Sequence, residues 1–140
     1  MIQENTETAT ELVRLTYSCV YTGDDGETHF KDVGVSMAAA VYVQGIPLVD
    51  VAKSEPVTAL TFSRLEPGYV SDWHPAPRRQ FVFVTAGTAE LTVTDGETRL
   101  FGPGSVFLVQ DTTRKGHQPR LVGPGECLFI TVAASDSSTT

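Results

Sequence analysis

The stretch GYVSDWHPAPRRQFVFVTAG, residues 68–87, joins a short segment containing one histidine to a run of alternating side chains. Successive side chains of a β-strand point to opposite faces, so the run RRQFVFV separates into two sets. One face carries a polar pair and two valines, namely Arg78, Gln80, Val82 and Val84. Phe81 and Phe83 alternate away from that face. The stretch therefore predicts a strand that presents Gln80, with His74 before it, toward the interior of a β-sheet protein.

Short β-branched and aromatic runs recur along the rest of the chain, separated by Gly, Pro and Asp. They occupy residues 12–21, 28–37, 58–65, 69–74, 79–86, 89–95, 98–101, 105–111, 117–122 and 127–133. The Asp-Gly pairs in TGDDGE (22–27) and TDGE (94–97) predict hairpin turns. This spacing predicts an all-β sandwich or closed barrel, with less than about a tenth of the residues in helix.

Length and charge limit the class of protein. The 140 residues suit one domain, which we expect over residues 11–134 between flexible ends at 1–10 and 135–140. The formal net charge is −7, from 17 acidic and 10 basic residues. Nucleic acid and anionic membranes are therefore not expected as partners, because binding to them depends on concentrated Lys and Arg.

The chain shows neither a signal peptide nor a membrane span. Its N-terminal segment lacks a basic region followed by an apolar one, and the apolar passage 35–51 is interrupted by Gln44, Gly45 and Pro47. We therefore expect a cytoplasmic protein. In that setting the two cysteines, Cys19 and Cys127, are expected to be buried thiols rather than a disulfide.

Two segments resemble the conserved motifs of the cupin superfamily. In the first, Gly68, His74, Gln80 and Gly87 match the spacing of the pattern G-x5-H-x-H-x3/4-E-x6-G. The second is a hairpin, a Pro-Gly turn, a strand and a histidine, ending at His117. The resemblance covers residues 68–122 and implies a cupin-type jelly-roll β-barrel, with a ligand or metal among its inward-pointing side chains.

The sequence differs from the cupin pattern at the positions of the metal ligands. The usual cupin set is three histidines and a glutamate, whereas Ala76 takes the second histidine position and Gln80 the glutamate position. We therefore expect no metal cofactor. If a divalent Fe, Mn or Zn binds, its ligands would be His74, Gln80 and His117, with His29 as the missing fourth.

Three functions fit these residues. The leading hypothesis is a small-molecule cupin enzyme, of the isomerase, cyclase, dehydratase or lyase type, that performs acid/base chemistry on a carbonyl-containing metabolite. Single-domain cupins of this kind occur in secondary metabolism. His74 and His117 would then be catalytic. The residues expected to contact substrate are Arg78, Gln80 and Trp73. The alternatives are a metal-dependent dioxygenase or lyase and a non-catalytic small-molecule-binding cupin.

Several of these residues also have structural interpretations. His74 and His117 can be core histidines, and Trp73 can be a core residue. His29 can be a surface residue, and Arg78 can form an ion pair with Asp72 or Glu66 instead of binding a substrate carboxylate or enolate.

Two further expectations concern the surroundings of the site. Asp111, in QDTTRKGH, is placed to orient the imidazole of His117. A homodimer is expected because Phe81 and Phe83 need cover on the outer face, with strand 12–21 as the other candidate interface.

Overall fold

The computed structural model describes residues 11–135, which form ten β-strands and contain no helix. The strands are β1 (Leu12–Thr22), β2 (Thr28–Ala40), β3 (Val49–Val51), β4 (Val57–Leu65), β5 (Gln80–Ala86), β6 (Thr88–Val93), β7 (Thr98–Phe101), β8 (Val106–Val109), β9 (His117–Val122) and β10 (Cys127–Ala134). The predicted all-β class is confirmed. Apart from Ser135, the predicted flexible ends lie outside the described residues. No helix in the described range offers the long apolar span that a bilayer crossing requires.

The described residues group into two compact units. The larger unit contains residues 17–32 and everything from 55 onward, and the smaller contains residues up to 16 together with 33–54. The strands β1 and β2 therefore contribute to both units. The prediction of one domain over residues 11–134 stays a prediction.

The larger unit is built from two sheets in a sandwich-like arrangement. One has the strand order β2-β1-β8-β5-β10-β4, and the other has the order β7-β6-β9. β1 runs parallel to β8, whereas β10 is antiparallel to both of its neighbours, β5 and β4. Its core is a cluster of buried apolar side chains: Val20, Phe30, Ala76, Val82, Val84, Ala89, Leu91, Val93, Phe101, Phe107, Val109, Leu121 and Cys127.

The smaller unit pairs β2 with the short strand β3, from Ala38 opposite Val51 to Ala40 opposite Val49. Arg14 lies 4.0 Å from Asp50 in the same unit. The sequence analysis did not predict β3. A three-residue, largely exposed strand leaves too little alternation to be recognised.

Both predicted hairpin turns are present. Gly26 and Gly96 adopt φ values of 82° and 101°, which glycine reaches without strain. The predicted strand 69–74 is wrong: this segment makes only isolated bridges at Val70 and His74. The following residues include Pro75 and Pro77, which have no backbone N–H to continue a ladder.

Candidate functional site

The larger unit contains a partly open cavity of about 190 Å³ with a mostly apolar lining. Most of its surface comes from aliphatic, aromatic and proline side chains: Leu65, Tyr69, Pro77, Val82, Val84, Ala89, Leu91, Phe107, Val109, Pro119 and Phe129. The polar contributions come from His74, Gln80, His117, Thr131 and the thiol of Cys127. Small-molecule sites combine these features, an apolar body and a few convergent polar groups.

Strand alternation explains which side of β5 faces the cavity. Gln80, Val82 and Val84 all line it. Phe81 points to the other face, where its ring meets the edge of Tyr17 at a centroid distance of 5.5 Å and an interplanar angle of 75°. The separation of the two faces follows the pattern in the sequence.

His74 and His117 lie side by side on the cavity lining. Each donates its backbone N–H to the carbonyl oxygen of the other, at 3.0 Å in both directions. This two-residue bridge holds the two ring centroids 5.1 Å apart. Two imidazoles so close together can act on neighbouring atoms of one bound molecule.

The backbone of Gly116 makes this bridge possible. Its φ is 80°, and a Cβ at this position would collide with the carbonyl oxygen of His74 and with Cα of Pro75. The hydroxyl of Thr28 donates to the Gly116 carbonyl oxygen at 2.7 Å. Glycine is therefore required here both by the backbone angle and by the approach of the His74 segment.

The contact with Asp111 indicates which ring nitrogen of His117 carries the hydrogen. The ring nitrogen Nδ1 lies 2.7 Å from Oδ2 of Asp111, whose side chain is completely buried. When Asp111 is a carboxylate it only accepts hydrogen bonds, and Nδ1 is then the donor. In the neutral ring Nε2 is then the unprotonated nitrogen, available to take a proton.

His74 has the same arrangement with a different partner. Its Nδ1 lies 2.9 Å from the carbonyl oxygen of Pro75, which also only accepts. The neutral ring therefore also keeps its lone pair on Nε2. The polar end of the cavity thus carries two imidazoles with the same tautomer.

Arg78 contacts Gln80 rather than lining the cavity. It is exposed, and its Nε donates to Oε1 of Gln80 at 3.2 Å. Because a guanidinium has no acceptor, the amide oxygen is the atom that faces Arg78. Gln80 itself lines the cavity, so its NH₂ is the group that remains to donate. Within residues 11–135 no ion pair joins Arg78 to Asp72 or Glu66; Glu66 lies 3.8 Å from Arg64.

Trp73 lies outside the set of described side chains that line the cavity. The ammonium of Lys115 sits 4.5 Å from the centre of its ring. Trp73 therefore does not meet the other residues expected to contact substrate.

His29 is also separate from the cavity. Its Nδ1 lies 2.8 Å from Oδ2 of Asp95, and its Nε2 lies 3.0 Å from Oδ2 of Asp25. These hydrogen bonds, first that to Asp25 and then that to Asp95, raise the pKa of His29. Both ring nitrogens are occupied, so the structure does not bring His29 to His74 and His117 as a further metal ligand.

Sequence reasoning did not identify the cavity residues contributed by β10. Cys127, Phe129 and Thr131 share one face of that strand and line the cavity. The alternation in CLFITVA carried the signal, but it does not show which face is inward. Burial raises the pKa of the Cys127 thiol, so this sulfur stays protonated and uncharged. Both cysteines are free and buried, as predicted.

Residues 61–133, from β4 to β10, match the sequence model of the family described as "Cupin domain". The chain belongs to the cupin family. The predicted resemblance is confirmed, and the jelly-roll class with it. The cupin motif residues Gly68, His74, Gln80 and Gly87 all fall within the matched range.

Three solved structures show the range of similarity. The cupin domain of Schizosaccharomyces pombe Cnp3 is 16% identical over 88% of this chain and 86% of its own, with a TM-score of 0.45. A putative ethanolamine utilization protein Q from Salmonella typhimurium is 16% identical over 88% and 97%, with a TM-score of 0.34. Protein NMB1881 from Neisseria meningitidis is 15% identical over 59% and 84%, with a TM-score of 0.40. No curated protein matches the chain in sequence.

The metal implied by the cupin motif does not fit the donors present. Within the described range, no three His, Cys, Asp or Glu side chains converge so that they could hold an ion. Ala76 has no donor atom, and the oxygen of Gln80 already accepts from a cationic guanidinium. Two imidazoles without a carboxylate fall short of the three or four ligands that such sites use.

Proposed function

We propose that this cupin is an enzyme that moves a proton on a carbonyl-containing small molecule, in an isomerase, cyclase, dehydratase or lyase type of reaction. The observation that carries the proposal is the pair of imidazoles, His74 and His117, at one end of an apolar cavity. Each ring donates from Nδ1 to a fixed acceptor, so each neutral ring offers a basic Nε2.

His117 is the better placed base. When Nε2 takes a proton, the ring becomes an imidazolium, and the carboxylate of Asp111 at 2.7 Å stabilises the new positive charge. His74, with its ring centroid 5.1 Å away, is the second proton carrier. Asp111 touches no substrate in this scheme and acts as a positioning residue.

The proton balance is simple. The C–H bond next to the carbonyl breaks, an N–H bond forms at Nε2, and the electron pair moves onto the carbonyl oxygen as an enolate. Gln80 lines the cavity, and its amide N–H groups can donate to this oxygen. Return of a proton to another atom completes an isomerisation, and expulsion of a leaving group completes a lyase or dehydratase step.

The test is exchange of the methyl protons of acetophenone in D₂O, followed by proton NMR. We expect the protein to exceed the same concentration of free imidazole by at least about tenfold. His74→Ala and His117→Ala should abolish the excess, because each removes a proton carrier. His29→Ala is the matched control: it removes the third histidine, which lies away from the cavity, and should leave the rate unchanged.

Two further measurements separate the mechanism from its alternatives. Asp111→Asn keeps the size of the side chain but removes its charge, so kcat should fall at least about tenfold while KM stays close to the wild-type value. EDTA should have no effect. Inactivation by EDTA with recovery on adding Fe, Mn or Zn would favour the metal-dependent alternative, and binding without exchange would favour a binding protein.

A further inference from the structure

We infer that the cavity selects an uncharged carbonyl compound of about the size of one substituted six-membered ring, held by its oxygen at Gln80. The inference rests on the proposed function, since it takes the same cavity as the substrate site. It departs from the sequence hypothesis in giving Arg78 no contact with substrate.

Size sets the first limit on the ligand. The cavity measures about 190 Å³. A dry apolar cavity of about 150 Å³ accommodates benzene, and drug-sized ligands occupy pockets of roughly 300–1,000 Å³. One ring with a small substituent therefore fits this volume, and a second fused ring would extend toward the open side of the cavity.

Charge sets the second limit. The described residues that line the cavity include no Lys, Arg, Asp or Glu. While both imidazoles are neutral, a carboxylate or phosphate group would be buried there with no cation in the lining to offset its charge, which is unfavourable. The cavity therefore disfavours anionic substrates.

Hydrogen bonding sets the third limit. Because Arg78 can only donate, it fixes the oxygen of Gln80 toward itself at 3.2 Å and leaves the amide N–H groups for the cavity. The lining then includes a donor at Gln80 and acceptors at Nε2 of His74 and His117. A carbonyl oxygen and an adjacent acidic C–H or O–H group match this arrangement, and Arg78 acts through Gln80.

The experiment compares acetophenone with benzoate, which has the same number of non-hydrogen atoms but carries a charge. Binding is followed at about pH 8, where an ordinary imidazole is neutral, by isothermal titration or by shifts of the histidine NMR signals. We expect acetophenone to bind at least about tenfold more tightly than benzoate. We expect 2-acetylnaphthalene to gain little over acetophenone, because its second ring extends beyond the 190 Å³ of the cavity.

Variants test the role given to Gln80 and Arg78. Gln80→Glu removes the amide donor without changing size and should weaken acetophenone binding at least about tenfold. Arg78→Leu should weaken acetophenone binding in the wild-type background but not in the Gln80→Glu background. Arg78 affects binding only by orienting the amide of Gln80, and the Gln80→Glu variant has no amide. A circular-dichroism melt of each variant verifies folding.

The outcomes separate this inference from the function beneath it. Benzoate binding as tightly as acetophenone, or Arg78→Leu weakening binding equally in both backgrounds, overturns the inference and leaves the proton-transfer proposal standing. Failure of acetophenone both to bind and to exchange its protons overturns the two together.

Discussion

Gly116 shows how one residue outside the cavity determines the geometry inside it. The histidine bridge needs the backbone of Gly116 against that of His74 and Pro75, and only a residue without Cβ leaves room. Nothing in the sequence motif marks this glycine as more important than the others. Its role follows from a contact between segments that are far apart in the chain.

Gly116→Ala is expected to lower both stability and proton transfer. A non-glycine residue at positive φ costs about 1–2 kcal/mol, and the collision with backbone should add at least about 2 kcal/mol. Gly104→Ala is the matched control, because Gly104 has a φ of 91° and open space around its missing Cβ. Urea unfolding of the two variants measures the difference, and equal losses would contradict the collision.

At the scale of elements, His29 joins two hairpin turns. It accepts or donates hydrogen bonds with Asp25, in the turn between β1 and β2, and with Asp95, in the turn between β6 and β7. Tyr21 packs against its ring at a centroid distance of 5.6 Å. With both nitrogens facing carboxylates, the doubly protonated ring is the favoured form.

The raised pKa of His29 predicts a stability that depends on pH. The pKa of His29 is higher in the folded protein than in the unfolded chain, where it is about 6.5. Protonated His29 therefore stabilises the folded state fully below about pH 6.5, and this stabilisation is lost as the pH rises through the pKa of the folded state. His29→Gln should therefore cost more at about pH 6 than at about pH 9. Urea unfolding at the two values measures this. Asp24→Asn, in the same turn, is the control, and a loss independent of pH would contradict the prediction.

Two of the strands have the bounds that the sequence predicts. TRLF and HQPRLV form strands with the predicted bounds, at residues 98–101 and 117–122. The exceptions are β3, which is too short to alternate, and residues 69–74, where only Val70 and His74 form bridges with β9. For the site, the alternation of side chains along β5 placed Gln80 on the same face as Val82 and Val84. The contacts of Asp111, Arg78 and Gly116 needed the folded chain, because each depends on a hydrogen-bond partner or backbone neighbour that alternation does not specify.

At the scale of the larger unit, the face opposite the cavity carries two apolar rows. Phe129 and Thr131 point into the cavity, so their neighbours on β10 point outward. The register of the sheet places each of these β10 neighbours between one residue of β4 and one of β5, which gives two rows across the three strands. In the order β4, β10, β5, the first row is Phe62, Ile130 and Phe83, and the second is Leu60, Val132 and Phe81. Phe62 is 77% exposed and Leu60 is 58% exposed, whereas Phe81 is buried against Tyr17. The uncovered part of this face is therefore centred on β4 and not on Phe81.

We propose that the homodimer expected from the sequence forms through these two rows. An exposed phenylalanine in a contiguous apolar patch is typical of an interaction surface, and covering one such side chain stabilises a complex by about 1.5–3 kcal/mol. Phe62→Ser should therefore weaken dimerisation at least about tenfold. Val70→Ser is the matched control, because Val70 is 62% exposed and lies outside the two rows. Sedimentation equilibrium over a concentration series measures both variants. A wild-type protein that stays monomeric at micromolar concentration, or a Val70→Ser variant weakened as much as Phe62→Ser, would show that this face does not form the dimer.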